Sequence, residues 1–577
     1  MSKTPQYDKK IKIILDQIKP GSRICERTEE TWYMDEEEIS WFKAFQVPPS
    51  RVSKKMRMWQ LSCFFVVYQW WWNKHFDTGE PILTSAHPAS GIRVLPDKEW
   101  FERDFSEKGR EIDLTRPFFD QFRALQLEVP INATRNGVPP ENSITLFSLG
   151  DQNSYFVAAS KSKNSLYLND CDGAENCMLG LDGIHVSESY FFAHSARLHH
   201  CLFALQSFDC VNSLFLFDCR NCEYCFGATN KRNRKYIWWN EQLSKEEWER
   251  RMVQIDLGSY LKFSQIYNQF IEFIHKQAIW PENFTERTTD STGEYLFNSS
   301  SSVHTSYGRF SHHNYYCYGV WQAKDNAFSC AVPGERNYLS GPVSQGSNCK
   351  FSPVLVRCDE CEYCFNCYDC THCFGCVGLH RKQFCLLNKQ YTEDEYWKKI
   401  DELKCVMLDR GEYGQALPGE FSFSYFPEGG PVMYLGAELS DWQTIGMQQF
   451  SIDADGAFGE MRLEGKEITP LEDIPDHINE VDVEIWSKKI FIDSQIKRPF
   501  TYLKPEIEFC KKYRLPLSRK HFTRQMKELF FLMNTGLFVD TVCTVCKKQI
   551  TVAQNRTFQD RRIYCHQCYL NYLEQNG

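Results

Sequence analysis

The stretch Cys358–Cys376, CDECEYCFNCYDCTHCFGC, places a cysteine at every third position, seven in all. An α-helix repeats every 3.6 residues and a simple strand every 2, so neither accounts for a period of three. A parallel β-solenoid does, because short strands joined by corners send one residue inward at regular steps. The pattern predicts such a solenoid, with a narrow interior suited to small thiols and a coil of about 18 residues.

Asparagines precede Ser or Cys throughout the same region, where corners of the coil would fall. Asn tolerates left-handed backbone and satisfies nearby amides with its side chain, which suits a corner. The asparagines concerned are Asn153, Asn164, Asn176, Asn212, Asn221, Asn348 and Asn366.

The cysteine pattern occurs twice, with a displacement of 148 residues. The first copy contains Cys201, Cys210, Cys219, Cys222 and Cys225, and the second contains Cys349, Cys358, Cys367, Cys370 and Cys373. A capping-box sequence follows each copy, Ser244 with Glu247 in the first. Thr392 and Glu395 are its counterparts in the second. Each solenoid-like stretch should therefore be followed by a helix.

A second duplication joins the two ends of the chain. The segment Glu38–Arg51, EISWFKAFQVPPSR, aligns without gaps to Glu506–Arg519, EIEFCKKYRLPLSR, at a displacement of 468 residues. The alignment continues in both directions. We therefore interpret residues 23–101 and 491–569 as two copies of one module.

The C-terminal copy contains two CxxC pairs, CTVC and CHQC, separated by the segment 547–564. Four thiolates at this spacing predict one structural Zn²⁺, because they leave no open position for a substrate. The predicted ligands are Cys543, Cys546, Cys565 and Cys568. The equivalent residues of the N-terminal copy are His75, Thr78, Asp97 and Trp100. Since Trp cannot ligate zinc, we expect that copy to be a degenerate ribbon without a metal.

The predicted fold class is mixed and mainly β. Two tandem parallel β-solenoid-like repeats, each followed by a helix, are flanked by two homologous α+β zinc-ribbon-type modules. The expected segments are 1–105 (degenerate ribbon module), 106–280 (first solenoid repeat and helix), 281–420 (second solenoid repeat and helix), 421–490 (connecting region) and 491–577 (zinc-ribbon module).

Length and composition narrow the functional classes. A chain of 577 residues is too long for one core, and its net charge of −9 argues against general adhesion to nucleic acid or anionic membranes. The longest apolar run, Cys63–Trp72, is about half the length of a membrane span. The start of the chain shows no secretory leader, and CxxC pairs favour metal sites in a reducing compartment. We therefore expect a cytoplasmic protein without membrane contact.

The C-terminal module is locally basic, in contrast to the rest of the chain. A basic zinc ribbon is typical of contacts with nucleic acid or ribonucleoprotein, and an ordinary solvated face is the alternative. The candidate contact residues are Arg519, Lys520, Arg524, Lys527, Lys547, Lys548, Arg561 and Arg562.

The cysteine run invites a second metal hypothesis, a multinuclear or iron–sulfur site in a redox protein. Its ligands would be Cys358, Cys361, Cys364, Cys367, Cys370, Cys373 and Cys376. In the first copy Leu216, Ala228 and Ile237 occupy positions that hold cysteine in the second. Apolar replacement is what an interior tolerates and what a ligand set does not, so the pattern favours buried thiols.

No catalytic motif is present: the sequence has no P-loop, GxGxxG, HExxH or GxSxG. Asp151, Asp170 and Asp172 would suit a solenoid enzyme acting on a polysaccharide only if they clustered on one face. Lone carboxylates of this kind are usually corner residues. We therefore expect no catalytic residues, and a small-molecule substrate is not indicated.

Three segments, CTHCFGCVGLHRKQFCLLNKQYTEDEY (from Cys370), EIEFCKKYRLPLSRKH and the closing CTVC…YCHQCY, resemble a cysteine-rich family abundant in candidate-phyla-radiation (Patescibacteria) bacteria. The resemblance implies this architecture, a zinc site and a bacterial cytoplasmic setting, but no reaction. In that family both terminal modules carry cysteine knuckles, whereas here the N-terminal set is reduced to Cys25 and Cys63. The sequence thus predicts a non-enzymatic scaffold that binds a protein partner, with nucleic acid as a further candidate.

Overall fold

The backbone of both cysteine-rich segments turns a corner at every third residue. In the computed structural model, which describes residues 2–66, 68–452, 463 and 465–577, positive φ angles recur at every third position from Asn164 to Trp239 and from Gln345 to Leu387. All seven asparagines expected at corners have this left-handed backbone. Each non-glycine residue costs about 1–2 kcal/mol in this conformation, so the contacts around the corners must over-determine it.

The residue after each corner points into the interior, which explains the period of three. Cys201 follows the corner at His200, Cys210 follows the corner at Asp209, and both cysteines are fully buried. The seven cysteines of the run in the second copy are at most 1% exposed. The thiols therefore form part of a core.

Successive strands pair in parallel at a nearly constant displacement. Leu166 pairs with Met178 and Met178 pairs with Tyr190, so each strand residue lies four corners from its partner. A few pairs fall one position short of this interval. Four corners, one at every third position, make each repeat 12 residues long, a dodecapeptide. The coil length of about 18 residues expected from the sequence is therefore wrong. The nine-residue recurrence of cysteine covers only three of these corners and does not reveal the fourth.

Small polar side chains at inward positions satisfy backbone groups of the neighbouring repeat. The Ser213 hydroxyl oxygen accepts the N–H of Cys225 at 3.0 Å. The Cys201 thiol lies 3.3 Å from the carbonyl oxygen of Cys210, to which it donates. Polar side chains are thus favoured at these positions, although apolar ones such as Leu216 also occupy the interior.

The first half of the chain runs from an N-terminal module into the first stack of parallel strands. The module and the segment after it contain α1 (Pro5–Gln17), β1 (Gly21–Ile24), β2 (Thr31–Met34), α2 (Glu36–Phe45), α3 (Lys54–Ser62), β3 (Trp71–Lys74), β4 (Pro81–Thr84), β5 (Val94–Leu95), α4 (Asp97–Phe101), α5 (Phe118–Glu128) and β6 (Ile131–Asn132). The first stack contains β7 (Ile144–Leu146), β8 (Tyr155–Ala158), β9 (Lys161–Lys163), β10 (Leu166–Glu175), β11 (Met178–Ile184), β12 (Tyr190–Ala196), β13 (Leu202–Leu205), β14 (Leu214–Phe217), β15 (Phe226–Thr229), β16 (Ile237–Trp238) and β17 (Glu241–Gln242).

The second half repeats this plan with the module at its end. After α6 (Lys245–Met252), α7 (Tyr260–Gln277) and β18 (Ile279–Pro281), the second stack contains β19 (Gly293–Phe297), β20 (Thr305–Arg309), β21 (Tyr318–Val320), β22 (Cys330–Val332), β23 (Gly334–Glu335), β24 (Val343–Ser344), β25 (Gly346–Ser347), β26 (Leu355–Val356), β27 (Cys367–Tyr368), β28 (Thr371–Phe374), β29 (Gln383–Leu386) and β30 (Lys389–Gln390). It is followed by α8 (Glu393–Asp409), α9 (Gly430–Met433), α10 (Trp442–Ile445), α11 (Val483–Trp486), β31 (Phe491–Ile492), β32 (Pro499–Phe500), α12 (Lys504–Tyr513), α13 (Phe522–Leu532), β33 (Asn534–Val542), β34 (Gln549–Asn555), β35 (Arg562–Tyr564) and α14 (His566–Asn576).

Each stack is closed by an equivalent asparagine. The Asn240 side chain accepts the N–H of Thr229 at 2.9 Å, and the Asn388 side chain accepts the N–H of Val377 at 2.8 Å. Both asparagines have positive φ, and an antiparallel strand turns the chain away after each of them. The predicted helices follow as α6 and α8.

The predicted caps of these two helices form to different extents. The Thr392 side chain and Glu395 make the full reciprocal capping box at the start of α8. The Ser244 side chain accepts the N–H of Glu247 at the start of α6, but the Glu247 carboxylate pairs with Arg250 and Arg251.

The two terminal modules have the same element order at the displacement predicted from sequence. Helices α2 and α12 begin and end at equivalent residues, and hairpin β1–β2, helix α3, hairpin β3–β4 and helix α4 recur as β31–β32, α13, β33–β34 and α14. The module duplication is therefore a property of the fold.

The chain forms two compact units, and each contains one stack and one module. Unit 1 consists of Met1–Ala133, Asn283–Ala457 and Thr535–Phe538. Unit 2 consists of Thr134–Glu282, Phe458–Asn534 and Val539–Gly577. The N-terminal module thus belongs with the second stack, and the C-terminal module belongs with the first.

Equivalent glutamates in α2 and α12 are buried with different partners. Glu38 forms a buried ion pair with Arg57 and lies 3.5 Å from Lys54. Glu506 accepts a hydrogen bond of 2.6 Å from the Tyr167 hydroxyl, and among the described residues no ion pair joins it to a cation. Burial raises the pKa of Glu506 to about 7.

This difference predicts opposite effects of the same substitution. A carboxyl group whose pKa is raised by folding destabilises the folded state at pH values above its pKa in the unfolded chain. The stability of unit 2 should therefore fall as the pH rises from about 4.5 to 7. Glu506→Gln should remove this loss and stabilise α12 by up to about 3 kcal/mol at pH 8. Hydrogen exchange of the α12 amides, compared with wild type at pH 5 and pH 8, measures it.

The matched control is Glu38→Gln. It leaves Arg57 buried without its carboxylate and should destabilise α2 by about 3–5 kcal/mol at both pH values. Faster exchange of α12 in Glu506→Gln at pH 8 would contradict the assignment of a destabilising carboxylate.

Candidate metal centre

The first cysteine pair lies in the tight turn between β33 and β34. The Cys543 N–H donates to the Lys548 carbonyl at 2.9 Å, and the Lys547 N–H donates to the Cys543 carbonyl at 3.0 Å. Lys547 has a φ of 63°, the left-handed conformation that closes the turn. This geometry points Cys543 and Cys546 to the same side.

The second pair lies at the start of α14. Cys565 is the residue before the helix and Cys568 lies in its first turn, so a spacing of three places both on one helix face. The Cys565 N–H donates to the Cys543 sulfur at 3.3 Å, and the Cys546 and Cys565 sulfurs are 3.6 Å apart.

The four sulfur atoms all lie within 4.8 Å of one another. Among the described residues, no other group of three or more His, Cys, Asp or Glu side chains brings its ligand atoms so close. Although burial opposes it, the N–H groups of Cys565, Cys546 and Val545 lower the pKa of Cys543 to about 6. The cluster can therefore hold one metal ion through four thiolates, as the sequence predicted.

A strand from the middle of the chain holds the cluster in place. Strand β35, which ends one residue before Cys565, pairs in parallel with β18. Strand β18 is bound by the side chain of Asn230, which accepts the N–H of Ile279 at 2.9 Å and donates to its carbonyl at 2.8 Å. The first stack therefore positions the strand that leads into the metal ligands.

Helix α14 is anchored to the same stack by a buried polar network. The Tyr569 hydroxyl donates to the Asp218 carboxylate, whose other contacts include Asn230 at 2.8 Å and the Arg232 guanidinium at 3.1 Å. Asp218 and Asn230 are at most 1% exposed. Tyr569 is therefore an internal anchor of the helix.

The N-terminal module keeps the turn of the knuckle with different side chains. The His75 ring nitrogen Nδ1 accepts the N–H groups of Asp77 and Thr78 at 3.2 and 3.4 Å, at the positions where Cys543 accepts those of Val545 and Cys546. Hydrogen bonds can thus hold this turn. That the N-terminal module binds no metal stays a prediction from the sequence.

At the helix side of the N-terminal knuckle, Trp100 occupies the position equivalent to Cys568. Its ring is fully buried, its Nε1–H donates to the Pro130 carbonyl at 3.0 Å, and its centroid lies 5.2 Å from that of Tyr368. An aromatic contact fills the volume that a metal ligand would occupy.

Sequence reasoning missed a second knuckle-like turn in each module, in the first hairpin. The Asp493 carboxylate accepts the N–H groups of Gln495 and Ile496 at 2.9 and 3.3 Å, and it pairs with Arg524 at 3.1 Å. Cys25 is the equivalent residue in the N-terminal module and bonds to the backbone N–H groups of Arg27 and Thr28. The signal available in the sequence was the spacing of Cys25 and Thr28, which are residues i and i+3.

The seven cysteines of the second stack do not form such a cluster. Their thiols donate to backbone carbonyls, for example Cys358 to the Cys367 carbonyl at 3.3 Å and Cys376 to the Cys385 carbonyl at 3.3 Å. Burial raises the pKa of Cys367 well above its ordinary value. These contacts are those of interior side chains.

Most of the predicted basic contact residues are engaged within unit 2. Lys520 and Arg524 pair with Glu528 at 2.6 and 3.2 Å. The rest of the engaged set comprises Arg519 over the Tyr260 ring, Lys527 over the Phe531 ring, Arg561 over the Trp280 ring and Arg562 bonded to the Lys276 carbonyl. Lys547 and Lys548, at the knuckle, are the two of the eight that are exposed, and Lys547 donates to the Thr544 carbonyl at 2.9 Å.

The carboxylates considered for catalysis lie in different environments. Asp151 is fully buried and accepts hydrogen bonds from Ser148 and Ser162 at 2.6 Å, so it is an interior residue. Asp170 is a corner residue with a φ of 56°. Asp151 therefore cannot contribute to an exposed catalytic groove.

Comparisons with known proteins do not assign a family: no family model matches the chain, and no curated protein is significantly similar to it. Within the described ranges, no helix has both the length and the apolar character needed to cross a membrane. Function must therefore be argued from the site.

The geometry predicts a sharp difference in thiol reactivity. After metal removal with a chelator, Cys543, Cys546, Cys565 and Cys568 should react with N-ethylmaleimide, because Cys546 is exposed and Cys568 is half-exposed in the turn and helix start that hold all four. The cysteines of both stacks should stay unmodified, since burial disfavours their reactive form. Peptide mapping by mass spectrometry measures both groups.

A denatured sample, in which all 26 cysteines are accessible, provides the control. Modification of the run Cys358–Cys376 as fast as that of the ribbon cysteines would contradict its placement in a core.

Proposed function

We propose that the protein is a non-catalytic scaffold whose C-terminal module is a zinc ribbon. One observation carries the proposal: four cysteine sulfurs from a tight turn and a helix start converge within 4.8 Å. In a tetrahedral Zn²⁺ site with Zn–S bonds of about 2.3 Å, neighbouring sulfurs are about 3.8 Å apart, close to the 3.6 Å between Cys546 and Cys565. Four protein ligands would make the metal structural.

We further propose that each parallel stack is a β-solenoid with one dodecapeptide per coil. The regular corners, the constant displacement between strands and the asparagine that closes each stack support this interpretation. Solenoids commonly present long faces to partners, so a protein partner fits this architecture. The resemblance to a bacterial family and the reducing, cytoplasmic setting are part of the same proposal, and the CxxC spacing of the ribbon supports that setting.

The proposed contact surface is the exposed tip of the ribbon. Lys547 and Lys548 are exposed there, and Val545 between the first two metal ligands is 54% exposed. Val542 and Leu570, both within two residues of a metal ligand, are 41% exposed. Cations beside exposed apolar side chains suit a nucleoprotein or protein surface.

The proposal predicts about one zinc and no iron per chain in elemental analysis of anaerobically purified protein. Cys546→Ser should lose most of the zinc, because one ligand of four is removed. Cys222→Ser, a buried thiol of the first stack, should keep it. Several metal ions per chain, or stoichiometric iron, would instead make the run Cys358–Cys376 the functional centre.

If the ribbon tip contacts nucleic acid, Lys547→Ala/Lys548→Ala should weaken binding of fluorescent single-stranded RNA in polarisation assays. Loss of two phosphate contacts should reduce the slope of log affinity against log salt by roughly 1.4. Lys9→Ala/Lys19→Ala, which removes two exposed lysines of the N-terminal segment, should leave binding unchanged. Equal binding by all three proteins would exclude the ribbon tip as the contact and favour a protein partner.

A further inference from the structure

Unit 1 contains a cavity of about 300 Å³ that the scaffold proposal does not use. Three segments of the chain meet around it: the start of α1, the end of α2, and the second stack with helix α8. Its charged lining consists of Arg336, Lys350, Lys404, Glu360 and Glu362. Three cations and two carboxylates therefore line one small, partly open cavity.

Lys350, Lys404 and Glu362 are largely buried and unequally matched, whereas Arg336 and Glu360 are exposed. Lys404 lies 2.6 Å and Lys350 lies 3.6 Å from the same oxygen, Oε1, of Glu362. The second oxygen of Glu362 accepts the Tyr413 hydroxyl at 2.7 Å. One carboxylate thus serves two ammonium groups, and a buried positive charge requires a further counter-charge.

Lys350 is the less compensated of the two lysines. Lys404 also lies 5.1 and 5.2 Å from the ring centroids of Tyr7 and Tyr413, where cation–π attraction stabilises it. The Glu362 contact is the one ion pair of Lys350 within 4 Å among the described residues. Burial, followed by repulsion from Lys404, lowers the pKa of Lys350. An anion in the cavity would restore its charge balance.

The rest of the cavity wall is mixed. Its apolar and aromatic part is formed by Phe45, Phe374, Tyr396, Trp397 and Ile400, and its polar part includes Thr4, Gln46 and Asn348. Such a wall suits a small molecule with a polar group and one flat or aliphatic side. At about 300 Å³ the cavity is at the lower end of the range for small-molecule sites.

We propose that this cavity binds a small organic carboxylate. The carboxylate group pairs with Lys350, and the apolar body packs against Trp397, which is part-exposed in the cavity wall. Sequence reasoning did not indicate a small molecule, because the lining residues are spread over Thr4 to Lys404 and carry no motif.

The test uses the full chain and 4-fluorobenzoate, observed by ¹⁹F NMR line broadening. The isosteric neutral amide 4-fluorobenzamide and inorganic phosphate are the matched ligands. We expect the benzoate to bind at least 10-fold more tightly than the amide, and to be displaced by unlabelled benzoate but not by phosphate. Absence of broadening, equal binding of the amide, or displacement by phosphate would each overturn the proposal.

Variants locate the site. Lys350→Met should weaken 4-fluorobenzoate binding at least 10-fold, Lys350→Arg should retain it, and Lys324→Met, an exposed lysine of the second stack, should leave it unchanged. If Lys350→Met fails to fold, reductive methylation of the wild-type protein tests whether Lys350 contacts the bound benzoate. Benzoate should protect Lys350 and leave Lys324 unprotected, and equal methylation of Lys350 with and without benzoate would refute the assignment.

Discussion

The rest of the structure depends on one constraint, a backbone corner at every third residue around a narrow interior. Each corner exposes an amide and a carbonyl to that interior, where water cannot reach them, so many inward side chains are small and able to hydrogen-bond. Serine and cysteine meet both conditions, and the Ser213 and Cys201 contacts show how. The richness in cysteine thus has a packing cause and needs no metal, and the single convergent cluster among the described residues lies in the C-terminal module.

In both modules the backbone of the knuckle turn is kept although the side chains that complete it differ. Cys543 and His75 accept two equivalent backbone N–H groups, each in its own module. In the first hairpin of each module, Asp493 and Cys25 bond to backbone N–H groups in the same way. The left-handed residue that closes the turn is Gly79 in one module and Lys547 in the other. The turn is therefore encoded in its backbone hydrogen bonds, and a metal ion, an ion pair or a histidine ring can each complete it.

Features carried by spacing were predictable from sequence. The period of three, the asparagine corners, both duplications, the helices after Ser244 and Thr392 and the four convergent cysteines all depend on residue type at short or fixed intervals. The dodecapeptide length of the repeat was missed because it depends on how the chain closes on itself in space. The engagement of Arg519 and Arg561 by aromatic rings was missed because those rings lie elsewhere in the sequence, as do the residues around Lys350.

The pairing of the first module with the second stack has a consequence for biosynthesis. The first 133 residues emerge from the ribosome roughly 320 residues before Ala457, with which they share a compact unit. At elongation rates of about 5–20 residues per second, this wait lasts roughly 15–65 s. During that time the nascent N-terminal segment, including the Trp70–Trp72 cluster, has apolar surface without its native cover. Translation speed and chaperone capture of the nascent chain should therefore limit the yield of native protein more than the stability of the finished fold does.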